Sequence, residues 1–153
     1  MPSSPRMRGT AVVAVGLGLA RPLHPLQAVL LASLLPLFLG ALISDVTYTR
    51  SFHVQWANFS SWLIAGGLFV GGFTVLWAVV DVLRGGAARR KRHAIHLMVL
   101  VAMWTLGFVS ALVHAKDAWA TMPEGLYLTA ITSLLALIAV WMGFSRMTDG
   151  EVA

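Results

Sequence analysis

The sequence predicts an all-α fold: an integral membrane four-helix bundle with both termini in the cytoplasm. Three observations carry that expectation. First, the charges fall in short patches, and residues 22–44, 51–80, 93–115 and 125–145 hold no Asp, Glu, Lys or Arg. Each stretch can cross a bilayer, whose hydrocarbon core takes about 20 apolar residues of helix. Second, only 11% of the chain is charged and its mean hydropathy is +0.80, whereas soluble domains carry about 25% charged residues. Third, the basic residues are lopsided. Arg6, Arg8, Arg21, Arg84, Arg89, Arg90, Lys91, Arg92 and Arg146 lie on one side of the spans, and Arg50 and Lys116 on the other. Cytoplasmic loops carry the excess of Lys and Arg, so the rich side is read as cytoplasmic.

The elements follow in order. Residues 1–21 form an N-terminal arm. Its apolar stretch, Thr10 to Ala20, is flanked by Arg6 and Arg8 and resembles a signal-peptide core, but Arg21-Pro22 and a full span follow at once. Eleven residues are too few to cross, so the arm is read as uncleaved and lying on the membrane surface. The transmembrane domain is residues 22–145, with spans near 26–44, 62–83, 95–113 and 126–144, and residues 146–153 are a cytoplasmic tail. Helices are expected because an isolated span must satisfy its own backbone in lipid. Barrel-like strand alternation is missing from the sequence. Pro36 in the first span predicts a kink. Gly67 and Gly71 in the second span, and Gly107 and Ala111 in the third, have the small-xxx-small spacing that lets helices approach. The segment 84–92, with Gly85-Gly86, reads as a basic solvated turn at the headgroups. Tyr48, Trp56, Trp62, Trp119 and Tyr127 mark the opposite interface.

Composition also bounds function. The net charge of +5 reports topology rather than nucleic-acid binding. With no cysteine, the chain makes no disulfide, thiolate metal site or thioether haem attachment. The sequence offers no nucleophile–base pair, phosphate loop or metal motif of useful specificity, so no catalytic residue is assigned. Mid-span polar residues are confined to Ser33, Thr74, Thr105, Ser110, Thr132 and Ser133, too few for a transport path through one copy.

The candidates therefore sit at span ends. His24, Asp81, Arg84, His93 and His96 lie toward the basic side. Asp45, Arg50, His53, His114, Lys116 and Asp117 lie toward the other. His96 and His114 are eighteen residues apart in one helix. Five turns separate them, so they share a face, about 27 Å apart. Facing imidazoles can ligate haem iron from both sides. This gives one sharp reading: a b-type haem electron carrier ligated by His24 with His96 and by His53 with His114, haem iron being the only metal in view. The plainer reading is that interfacial histidines act as anchors. Asp45, Asp81 and Asp117 are further polar candidates. Asp81 has Arg84 at i+3, and span-end carboxylates suit structural pairing or headgroup contact.

Several segments resemble a bacterial four-helix membrane family, domain of unknown function 2231. They are Arg21-Pro22-Leu23-His24-Pro25, Asp45-Val46-Thr47-Tyr48, Gln55 to Gly66, Trp77 to Asp81, and His114 to Trp119. The resemblance covers about residues 21–145. Where many members have a Phe-Pro-Ile-like segment, this chain reads Ala28 to Pro36, with the proline displaced. The resemblance implies a multi-pass protein of the bacterial inner membrane with no established activity. It also implies a non-enzymatic role as anchor or redox partner of a periplasmic quinoprotein-type dehydrogenase. A structural or lipid-interacting module is the remaining reading.

Overall fold

The computed structural model describes residues 24–116 and 121–148. Four helices run in order: α1 (Pro25–Ser51), α2 (Val54–Arg84), α3 (Ala87–His114) and α4 (Glu124–Thr148). All four are long and apolar enough to cross a membrane. The protein is a multi-pass membrane protein. The N-terminal arm, Asp117 and Trp119 lie outside the described residues.

The helices form a ring in which α1 packs on α2 and α4, and α3 packs on α2 and α4. Neighbours are antiparallel. Gln27 at the start of α1 meets Asp81 at the end of α2, and Ser110 near the end of α3 meets Thr129 near the start of α4. Both ends of the described chain therefore lie at one end of the bundle, here called the linker end because the basic segment joins α2 to α3 there. The other is the far end.

Burial explains why the ring closes. On α2 the buried residues are Ala57, Ser60, Ile64, Gly67, Gly71, Thr74 and Ala78. On α3 they are His96, Leu100, Met103, Gly107, Ser110 and His114. The spacing alternates three and four, the seam of left-handed bundle packing. Large side chains of α1 fill slots left by small ones. A Cβ at Gly67 would stand 2.8 Å from the Phe38 ring, and one at Gly107 would stand 3.3 Å from it. Phe38, Leu34, Leu31, Leu100 and Met103 make the middle apolar. The outward surface is apolar too, with Phe69, Phe73, Leu76 and Trp141 exposed as a lipid-facing surface should be. Trp104 adds an interhelical hydrogen bond, its Nε1–H donating to the Leu68 carbonyl at 3.0 Å.

Every helix outruns the apolar run inside it. The turn between α1 and α2 is only Phe52-His53. Phe52 takes the left-handed conformation (φ 54°, ψ 18°) and its N–H donates to the Tyr48 carbonyl at 2.8 Å, closing α1. Such a cap stops a helix abruptly. The basic segment behaves likewise: Gly85 and Gly86 alone separate α2 from α3, and residues 90–92 are helical. A Cβ on Gly85 would lie 2.9 Å from the Asp81 carbonyl, so the close approach to α2 requires glycine. Tyr48, expected among the interfacial aromatics, instead turns into the core, whereas Trp56, Trp62 and Tyr127 are exposed.

Candidate functional site

The described polar core is richest at the far end, on all four helices. Asp45 of α1 and His114 of α3 face each other with Asp45 Oδ1 3.0 Å from His114 Nε2, and their side chains are 0% and 1% exposed. Asp45 follows Ala41 and precedes Tyr48 on the buried stripe of α1. His114 falls on the matching stripe of α3, at its last residue.

The histidine is held from several sides. Its Nδ1 lies 2.8 Å from the Ser110 carbonyl. A carbonyl only accepts, so Nδ1 carries a proton. The Asp45 oxygen and Nε2 then hold one further proton between them. The couple is either imidazolium with carboxylate or neutral imidazole with carboxylic acid. The Ser60 hydroxyl of α2 lies 3.4 Å from Nε2. The Ser110 hydroxyl lies 3.2 Å from that of Thr129, which donates to the Gly125 carbonyl at 2.8 Å. Gly125 makes room for the ring: a Cβ there would stand 3.0 Å from His114 Cε1.

The other carboxylate oxygen, Asp45 Oδ2, is buried and meets no hydrogen-bond donor among the described residues. A buried carboxylate with an unused oxygen is costly. Such groups in membrane helices mark functional positions. Of the two roles expected of a span-end carboxylate, structural pairing and headgroup contact, Asp45 takes the first.

The other candidates sit elsewhere. His24 Nδ1 accepts from the Leu26 N–H at 3.3 Å, capping α1, and its ring lies 5.5 Å from that of Trp77. His96 is buried at the linker end beside Gly143 of α4. His53 is exposed at the start of α2. The described contacts join His114 to Asp45, and none joins His24 to His96 or His53 to His114. Asp81 accepts from Gln27 Nε2 at 2.9 Å, and the Asp81–Arg84 pair that the i+3 spacing allows is not among the described ion pairs. Sequence reasoning named Asp45, His114 and Ser110 but missed Ser60, Thr129, Gly125 and Gln27. Ser60 and Thr129 were within reach, because both fall on three-four stripes with residues that are plainly inward. Gln27 carries no such signal.

A family model described as predicted membrane protein (DUF2231) matches residues 20–152. The chain belongs to this family. Neither a curated protein nor a solved structure matches it. The family description gives a membrane protein of unknown function. The four membrane-crossing helices agree with it, and the far-end Asp–His couple lies within the segment that the DUF2231 family model covers.

Proposed function

We propose that this DUF2231 protein is a non-enzymatic component of the bacterial inner membrane, and that it serves a periplasmic quinoprotein-type dehydrogenase as anchor or redox partner. The observation that carries the reading is the buried Asp45–His114 couple, with Ser60, Ser110 and Thr129 around it at the far end. The excess of Lys and Arg at the linker end supports placing that end in the cytoplasm and the far end in the periplasm. A pair sharing one proton can release or take it when charge changes nearby, which suits a site beside a redox partner. The apolar middle around Phe38 keeps that exchange at one face. The test is purification of the tagged full chain from native membranes in mild detergent. A dehydrogenase subunit should be retained, with its activity, and Asp45→Asn should weaken retention while helix content stays. Wild-type protein that brings down no such subunit overturns the reading.

One observation favours the haem reading as a second proposal: His96 and His114 both face the core of α3. Ligation would require His114 to leave Asp45 and His24 to leave its cap. Protein expressed with ample haem that shows no Soret band removes it.

A further inference from the structure

A second feature lies at the linker end, away from the Asp–His couple. Two grooves flank the outward face of α2. One, of about 410 Å³, runs between α1 and α2 past Leu30, Trp77 and Val80 to Asp81 and Arg84. The other, of about 420 Å³, is lined by Phe69, Gly72, Val75 and Trp104. They share Phe73 and Leu76 as a common wall. From Arg84 to Phe69 is fifteen residues of helix, about 22 Å. Half the hydrocarbon core is about 15 Å, so the grooves reach through the leaflet in which the mouth lies.

The mouth carries charges of both signs. Arg84 is exposed and forms no ion pair among the described residues. Asp81, one turn earlier, is half-buried, with one oxygen held by Gln27. Trp77 and His24 stand beside them with rings 5.5 Å apart, the amphipathic aromatics of a membrane interface.

We propose that this face binds one diacyl phospholipid with a zwitterionic aminophosphate headgroup, of the phosphatidylethanolamine class. Arg84 receives the phosphate as a charge-assisted hydrogen-bond donor. Asp81, oriented by Gln27, receives the ammonium. The two acyl chains lie one on each side of the Phe73–Leu76 wall. Two grooves sharing a wall fit two chains better than the single tail of a quinone. A headgroup of both signs answers a mouth of both signs better than a purely anionic one.

The test is native mass spectrometry of the detergent-solubilised full chain titrated with dioleoyl phosphatidylethanolamine, dioleoyl phosphatidylglycerol or ubiquinone. One phosphatidylethanolamine should stay bound at collision energies that strip the other two. Arg84→Gln should weaken both phospholipids about tenfold, the worth of one charged hydrogen bond. Asp81→Asn should weaken phosphatidylethanolamine alone. Equal retention of the two phospholipids by the wild type, or tighter retention of ubiquinone, overturns the proposal without recourse to any variant. An Arg84→Gln protein of native helix content that binds like the wild type also overturns it.

Discussion

His114 shows how far one side chain's role depends on its neighbours. Its two nitrogens meet a carbonyl 2.8 Å away and a carboxylate oxygen 3.0 Å away, and the ring rests against a glycine. Removing one member of a buried ionisable pair strands the other, at a cost of about 3–5 kcal/mol. Asp45→Ala and His114→Ala should therefore each destabilise the bundle by roughly that amount, measured by denaturant titration in detergent. The double variant should cost clearly less than the two losses added, because neither partner is then left stranded. Additive losses would mean that the two groups are not coupled. Both residues could be picked from the sequence as polar span-end groups, but not as partners, because they stand 69 positions apart. Sequence reading set His114 against His53, its nearest histidine at that end. Packing set it against Asp45.

The helices are joined by shape more than by polarity. Phe38 of α1 occupies a slot formed by Gly67 of α2 and Gly107 of α3, while Ser133 of α4 donates to the Phe38 carbonyl at 2.9 Å. Gly67→Ala would bring a methyl to 2.8 Å from the Phe38 ring, and overpacking of this kind costs about 1–3 kcal/mol. We expect lowered thermal stability in detergent for Gly67→Ala and partial recovery on adding Phe38→Leu. No recovery would show that the loss arises elsewhere. The small-xxx-small spacing made Gly67, Gly71 and Gly107 legible in advance as contact points. It did not say which large residue each would meet. The helix ends were less legible. Polar residues such as Thr47, Arg50, Gln55 and Asn58 lower local hydropathy, so apolar runs end before the helices do. The buried stripe continues regardless, through Tyr48 on α1 and Ala57 on α2.

The four described helices make a closed ring with an apolar middle, a polar far end and a basic linker end. An even number of crossings puts the two described termini at the same end, and the basic residues nominate the cytoplasm. Reporter fusions to the N- and C-terminal tails should both report a cytoplasmic location. Replacing Arg84, Arg89, Arg90, Lys91 and Arg92 with Gln should give a mixed orientation, because five of the nine residues that set it would be gone. Periplasmic signals from both tails of the unaltered protein would reverse the assignment of its faces, and with it the place proposed for a dehydrogenase partner.

Lipid solubility and four crossings were written into the charge-free stretches, because charges are excluded from the hydrocarbon core whatever the packing. The family was legible through the segments where this chain is least generic, most of which the structure places at helix ends. Partnerships were not legible. Asp45 with His114, Gln27 with Asp81 and Trp104 with the Leu68 carbonyl each join residues far apart in the chain. Only the register between packed helices brings them within hydrogen-bonding reach, and that register is set by where Phe38 and its neighbours find glycine.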